Sequence, residues 1–294
     1  MDSKFRVGVV FPQTEIGEDP FVIRDFAQAV EGMGYSHLVA YDHVLGANTA
    51  SRPEWQGPYT HQSMFHEPLT LFSYLAGLTT KLGLMSGVII LPQRQTALVA
   101  KQAANVDVFS RGRLQLGVGI GWNEVEYEAL GMEFSNKGKR LDDQIRILRR
   151  LWTEPTFTAR TPFHTISDAG LNPLPVQRPI PIFVGGFSEA ASKRAAALGD
   201  GWFPAFTADK AEQVMTSFRQ KVADAKRAPG SVALENCDML GTTLGGPVRN
   251  ADAAVADVAA WRKAGANGLA LDTMNMGLKH DARIALLRRI SEML

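Results

Sequence analysis

The chain is 294 residues long, with 31 lysines and arginines against 30 aspartates and glutamates and a formal net charge of +1. That near balance, with no basic stripe, argues against a nucleic-acid partner. The length suits one α/β barrel and lets the chain bury a large core without metals or disulfides, and the single cysteine, Cys237, permits no intrachain disulfide and fits a reducing compartment.

The opening stretch, MDSKFRVGVVFPQTE, enters a strand-like run almost at once. It has no long apolar core and no small-residue cleavage site, so no signal peptide is expected. The run LGLMSGVIILP (82–92) is about half the length a bilayer span needs. The expectation is a soluble, cytoplasmic protein with no membrane partner.

Along the chain, short apolar runs alternate with longer amphipathic ones. FRVGVVF (5–11) reads as a strand and PFVIRDFAQAVEGMG (20–34) as a helix ending at glycine. HLVAYDHV (37–44) is a second strand, followed by a helix at 67–80; 82–92 is a third, followed by a helix at 96–110. RLQLGVGIG (113–121) is a fourth strand, followed by helical patterns at 123–131 and 137–154. IPIFVGG (180–186), DGWFPAF (200–206), CDMLGTT (237–243) and GLALD (268–272) are the last four strands, followed by helices at 188–198, 209–227, 251–264 and 279–294. Eight strand–helix units imply parallel pairing through right-handed crossovers. They point to a single-domain (β/α)8 TIM barrel over 1–294 rather than an open doubly wound sheet.

Two stretches depart from the plain barrel: 45–66, after the second strand, and 155–179, before the fifth, which holds five prolines. Long irregular segments inside a compact domain are often lids or binding loops.

GVGIGW (117–122) resembles a glycine-rich nucleotide loop at first sight. A dinucleotide fingerprint, however, requires G-x-G-x-x-G in the first βα unit. Here the third glycine comes one place early, Trp122 fills its slot, and the motif falls on the fourth strand. At the carboxyl end of a barrel strand, glycines remove side chains and let a flat ligand approach the backbone. A tight turn explains one such glycine; three fit a carved pocket better.

The run LPQRQTALVAKQAANVDVFSRGRLQLGVGIGWNEVEYEALG (91–131) resembles the luciferase-like flavin oxidoreductases, most strongly the branch that uses the deazaflavin coenzyme F420. DH at 42–43, HEP at 66–68, RLDDQIRILRRLW at 140–152, PLPVQRPIPIFVGGFS at 173–188 and GDGW at 199–202 follow the same pattern in order. The resemblance implies a flavin-type pocket with Gly119 and Trp122 in its fourth-strand wall. It implies a non-prolyl cis peptide at Gly87–Val88, beneath the ring site, with Ile89 beside it. It also places the cofactor phosphate at Gly185, Gly186, Phe187 and Ser188, where a strand turns into a helix whose free N–H groups and dipole attract anions. Ser188 serves equally as an ordinary N-cap, with Glu189 in the first turn.

Asp42 and His43 close the second strand. Histidine exchanges protons near neutral pH, though a polar residue closing the barrel looks the same in sequence. In the deazaflavin enzymes a histidine here lies near the reacting ring, so the resemblance makes His43 catalytic and gives Asp42 the task of orienting it or meeting the ring's polar edge. Trp122 stands about where the family's sugar-phosphate dehydrogenases carry a glutamate acid, and Ile120 about where luciferases carry a phosphate-binding arginine; both depart from those relatives. Trp55, Tyr59, His61, Phe65 and His66 either line a substrate pocket or belong to an interface. No spacing suggests a metal site, and no G-x-S-x-G hydrolase elbow occurs.

The resemblance implies hydride transfer between coenzyme F420 and a small organic substrate. The alternatives are an FMN-dependent monooxygenase and a non-catalytic flavin carrier. The resemblance also implies a homodimer.

Overall fold

The computed structural model describes residues 5–242 and 247–294. In chain order come β1 (Arg6–Val10), α1 (Pro20–Gly32), β2 (His37–Ala40), α2 (Pro68–Ala76), β3 (Gly83–Ser86), β4 (Ile89–Ile90), α3 (Thr96–Phe109) and β5 (Leu114–Gly119). α4 (Glu124–Ala129), α5 (Lys137–Thr153), β6 (Phe157–Arg160), β7 (Thr165–Ala169), β8 (Ile182–Gly185), α6 (Glu189–Leu198) and β9 (Gly201–Phe203) follow. α7 (Ala211–Asp224), β10 (Ala233–Met239), α8 (Ala251–Ala264), β11 (Gly268–Asp272) and α9 (His280–Met293) complete it.

Local chemistry sets the helix ends. Asp19 caps α1 by accepting from the Phe21 amide at 2.8 Å, with Pro20 at the first helical position. Glu67 and Pro68 start α2 in the same way, with Glu67 Oε2 accepting from the Thr70 amide at 2.7 Å. α8 stops at Gly265, whose φ of 84° is the left-handed conformation glycine adopts without steric cost. α5 buries Leu141, Gln144, Ile145, Leu148, Leu151 and Trp152, the stripe a 3.6-residue period lays on one face.

The strands close on themselves. β1 lies between β2 and β11; β2 pairs β3; β3 and β4 both pair β5; β5 then leads through β8, β9 and β10 back to β11, all parallel. With β3 and β4 counted as one stave this is the closed eight-stranded barrel of the (β/α)8 fold. Phe26, Leu75, Trp152, Phe218 and Trp261 fill the shell between strands and helices. Val10, Val39, Met85, Phe183, Phe203 and Ala270 fill the barrel interior. Towards the amino end of the barrel, Glu235 lies between Arg6 and His37, each 3.3 Å away.

The second and sixth strands, expected over 37–44 and 200–206, are shorter, at His37–Ala40 and Gly201–Phe203, and three further stretches depart from the sequence pattern. The third strand, expected over 82–92, is interrupted at Gly87–Val88, where the peptide bond is cis. The seventh strand, expected over 237–243, runs over Ala233–Met239 instead; residue 243 lies outside the described residues. Glu235 and Asn236 sit in its middle, and their polarity hides the strand in sequence; Glu235 is buried against Arg6 and His37 and Asn236, on the opposite face, against the Phe206 backbone. The segment 155–179 is not wholly irregular: β6 and β7 pair antiparallel, with a register shift between Phe157 and Ala159 that obscures the alternation.

The glycines of GVGIGW serve the neighbouring stave. A Cβ at Gly117 would meet Ser86 O at 1.8 Å, one at Gly119 would meet Val88 Cγ2 at 2.4 Å, and one at Gly121 would meet Ile90 Cγ2 at 2.7 Å. Gly185, on the far side, would meet Val88 Cγ1 at 2.5 Å. Their bare backbone therefore makes room first for the interrupted strand and only through it for a ligand. Gly119→Ala should cost roughly 1–3 kcal/mol of stability by overpacking. Combined with Val88→Ala, the loss should fall short of the sum of the two single losses by about 1 kcal/mol or more in denaturant unfolding. Additive losses would place the strain elsewhere.

Candidate active site

The carboxyl ends of the barrel strands open into a cavity of about 530 Å³, within the size range of small-molecule sites. Asp42 and His43 come from the turn after β2, Gly87 and Val88 from the β3–β4 interruption, Gly119 and Trp122 from the end of β5, and Gly185 to Ser188 from the β8–α6 turn. Of the residues assigned to catalysis or to the cofactor, all but Ile89 therefore line this cavity. Ile89 is fully buried in the shell toward the helices. Successive strand residues face opposite ways, so Ile90 takes the place on the cavity wall.

His43 is held from one side by a residue the sequence pattern missed. Its Nδ1 lies 3.0 Å from Glu126 Oε1, and that oxygen also accepts from the amides of Val44 at 2.8 Å and Leu45 at 3.3 Å. Gln93 Nε2 donates to the other oxygen at 3.2 Å. Burial pushes the Glu126 carboxyl up, but the hydrogen bond and charge of His43, the Val44 amide and Gln93 outweigh it, leaving the group below its ordinary value and ionised at neutral pH. An ionised acceptor fixes the proton on Nδ1 and leaves Nε2 as the nitrogen without a protein partner among the described residues. The rings of Tyr59 at 4.8 Å, Phe65 at 4.7 Å and Trp122 at 5.4 Å enclose the imidazole.

Asp42 does not orient His43. Its Oδ1 accepts from Arg94 Nη2 at 2.6 Å and its Oδ2 from the Ile90 amide at 2.9 Å. Arg94 also donates to Glu67 at 3.1 Å. Asp42 therefore pins the interrupted strand to the start of α3; burial raises its carboxyl and Arg94 only partly offsets that. The two neighbours split because adjacent residues leave the chain in different directions.

At the opposite end of the cavity, Ser188 caps α6, its Oγ accepting from the Ala191 amide at 3.2 Å. Glu189 turns away to Lys193 at 2.7 Å. The amides of Phe187 and Ser188 donate to no protein group among the described residues, and Gly186, at φ 105°, shapes the turn that presents them. These donors and the helix dipole suit a phosphate. The low floor over Val88, between Gly119 and Gly185, suits a flat ring. The residues present thus fit a phosphorylated flavin or deazaflavin.

A second polar group lies deeper. Tyr41 Oη donates to Asp272 Oδ2 at 2.7 Å and lies 3.3 Å from Cys237 Sγ. Asp272 is fully buried; burial lifts its carboxyl to about 6 against the pull of the Met274 amide and Tyr41. Of the loop residues, Tyr59 lines the cavity and Trp55 packs on Trp122 at 5.7 Å. His66 lies apart, its Nε2 3.2 Å from Gly17 O. Glu126 was hidden because an E-x-E-x-E run reads as solvated throughout; the helix sets Glu126 opposite Glu124 and Glu128, and it is that side, with buried Tyr127, that turns inward. Among the described residues no group of three His, Cys, Asp or Glu side chains could hold a metal ion, and no helix is long and apolar enough to cross a membrane.

This barrel mouth, with its histidine, its phosphate-ready turn and its interrupted third strand, is that of a flavin-type oxidoreductase. The chain belongs to the luciferase-like monooxygenase family, whose sequence profile matches residues 6–235. It is 34% identical over 240 residues to uncharacterized protein Rv0940c of Mycobacterium tuberculosis, covering 79% of this chain and 82% of that one. It is 36% identical over 142 residues to the FMNH(2)-dependent dimethylsulfone monooxygenase of Pseudomonas putida, a match covering 47% of this chain and 39% of that one. The fold matches monooxygenase RslO1 from Streptomyces bottropensis with a TM-score of 0.79 at 18% identity, covering 99% and 98% of the two chains. It matches an F420-dependent secondary alcohol dehydrogenase with a TM-score of 0.77 at 15% identity, covering 98% and 99%.

The buried Asp272 carries a pH signature. Its carboxyl is raised in the folded chain, so protonation favours folding, and stability from this group falls as pH rises from about 4 through about 6. Asp272→Asn removes that penalty while keeping an acceptor for Met274. The melting temperature of the variant relative to wild type should be several degrees more favourable at pH 8 than at pH 5. A pH-independent difference would mean that burial does not raise the Asp272 carboxyl above its unfolded value.

Proposed function

We propose that the protein is a coenzyme F420-dependent oxidoreductase that transfers a hydride between the deazaflavin ring and a small organic substrate. The observation that carries this reading is His43, held at Nδ1 by ionised Glu126 with Nε2 left unpaired in a cavity able to take a ring and a phosphate. When bound, the cofactor would supply or accept two electrons and one hydrogen as hydride. In the reducing direction the substrate then needs one further proton, which His43 supplies from Nε2 while Glu126 stabilises the imidazolium; in the oxidising direction Nε2 accepts it. The amides of Phe187 and Ser188 hold the phosphate, Val88 supports the ring, and Asp42 fixes the strand carrying Val88. Trp122 and Tyr59 narrow the mouth and exclude water.

Deazaflavin is supported over FMN by Ile120, which lines the cavity about where the resemblance puts the phosphate-binding arginine of luciferases. The second reading, an FMN-dependent monooxygenase, is favoured by the name of the Pseudomonas relative. Fluorescence titration of the purified protein with both cofactors separates the two: tighter binding of F420 is expected, and a clear preference for FMN would overturn the assignment.

With a substrate that turns over, His43→Ala should lower kcat by about 100-fold or more, while the Kd for the cofactor changes only a few-fold because its phosphate contacts lie at the β8–α6 turn. Parallel loss of binding and activity would make His43 a binding residue instead.

A further inference from the structure

The deep side of the cavity holds a polar group that neither the phosphate turn nor His43 uses. Tyr41 lines the wall, and its ring packs beside the interrupted strand: a Cβ at Gly87 would lie 3.4 Å from Tyr41 Cδ1 and 3.1 Å from Phe203 Cε1. The Tyr41 hydroxyl reaches across to β10 and β11, donating to Asp272 Oδ2 at 2.7 Å with Cys237 Sγ 3.3 Å away. Asp272 is fully buried behind it, and its Oδ1 accepts from the Met274 amide at 2.8 Å. The Tyr59 phenol is pushed up by burial first and by the nearness of Asp272 and Cys237 second, so its hydroxyl lies toward the same group and stays protonated at neutral pH. That hydroxyl has no hydrogen-bond partner among the described residues.

The other polar side chains of the wall are occupied. Asp42 and Glu126 are spent on the partners given above, and Asn123 on the Leu45 carbonyl and the Val125 amide. Ser188 belongs to the phosphate turn, Trp122 stands 40% exposed at the rim, and His43 Nε2 handles the proton. Tyr41 and Tyr59 remain, and their hydroxyls differ in sense. While Asp272 is ionised it holds the Tyr41 hydrogen, so Tyr41 offers the cavity a lone pair polarised by the carboxylate. The Cys237 thiol is a weak donor that a stronger one displaces. Tyr59 keeps its hydrogen to donate. An acceptor beside a donor complements a cyclic imide edge, in which an N–H is flanked by carbonyls. Flavins and deazaflavins carry one such edge on a ring that is otherwise largely apolar, and burying that edge without partners would be costly.

Resting on the cofactor reading above, we propose that Tyr41, backed by Asp272, accepts the imide N–H of the cofactor ring and that Tyr59 donates to the neighbouring carbonyl, so that these two phenols select the edge of the ring that enters the barrel. Protonation of Asp272 reverses the sense of Tyr41. The titratable and charged groups facing Asp272 are Tyr41 just past β2, Cys237 on β10, Tyr59 in the 45–66 segment, Glu15 after β1 and Arg283 on α9, the last two paired with each other. Burial, working against the Met274 amide and Tyr41, lifts the Asp272 carboxyl to about 6. Below that pH the carboxyl donates to Tyr41, whose own hydrogen then turns to the cavity and opposes an incoming N–H.

F420 and FMN are each titrated into the purified protein beside derivatives methylated at the imide nitrogen, with fluorescence as the readout. Methylation should raise Kd about 10-fold or more in the wild type at about pH 8. The ratio of the two Kd values cancels the titration of groups that the pair of ligands shares, and it should fall several-fold at about pH 5. Tyr41→Phe should weaken the parent ligand about 10-fold and bring the ratio to within about twofold of unity. Asp272→Asn keeps the shape of the wall but donates to Tyr41, and it should do the same. A ratio retained in Asp272→Asn would reveal a steric effect of the methyl group and overturn the proposal. So would equal Kd values in the wild type, a ratio that does not change with pH, or calorimetric binding of uracil to the cofactor-saturated protein that is lost in Tyr41→Phe, which would give the imide site to a substrate. If one variant does not fold, the other and the wild-type pH dependence decide. Binding of F420 or FMN without discrimination against its methylated form would overturn this inference and leave the cofactor reading standing; failure of both to bind would overturn the two together.

Discussion

The site depends on one buried carboxylate. Glu126 is 1% exposed and would be very costly as an isolated charge. It is instead surrounded by the His43 ring, two successive amides and Gln93. Those donors come from three places: the end of β2, the start of the 45–66 segment and the turn that follows β4. The same carboxylate therefore fixes the imidazole, sets the direction in which the long segment leaves the barrel and ties both to α4. The shape of the cavity follows from that junction, because His43 with Tyr59 packed on it forms part of the wall.

Asp42 and His43 show how one dipeptide divides its labour. His43 faces the cavity, whereas Asp42 is spent on Arg94 and the Ile90 amide. That ion pair extends to Glu67, which caps α2. A chain of charges thus links the strand beneath the proposed ring site to the helices outside it. Each oxygen of Asp42 has a donor in this network. The consequence for chemistry is that Asp42 maintains the shape of the floor and leaves proton handling to its neighbour.

The alternation of bare and apolar residues at 117–121 is likewise a packing solution that becomes a functional one. Two glycines on β5 and Gly121 just past its end face Ser86, Val88 and Ile90 in turn, and Gly185 closes on Val88 from β8. The interrupted stave needs that space because its backbone swings out of the regular ladder between β3 and β4. Val88 is thereby left on the cavity floor with little around it to obstruct a flat ligand.

Sequence periodicity was enough to determine the barrel. Eight apolar runs each followed by an amphipathic stretch leave few topologies open, and caps and glycine stops mark most helix ends. The motifs also located the cavity, because strand ends are readable and the carboxyl end of every barrel stave faces the same mouth. Three matters were decided only by tertiary structure. Glu126 reaches His43 from 83 residues away, and although the helical period sets it opposite Glu124 and Glu128, nothing local says that its side is the buried one. β10 carries Glu235 and Asn236 in its middle, so its polarity argues against a strand until the barrel supplies partners. Ile89 and Ile90 are the same residue type side by side, and only the backbone path through the interruption decides which one meets the shell and which the cavity. In each case the reason is physical: burial of a polar group is permitted by partners distant in sequence, and the direction of a side chain is set by backbone geometry rather than by the identity of the residue.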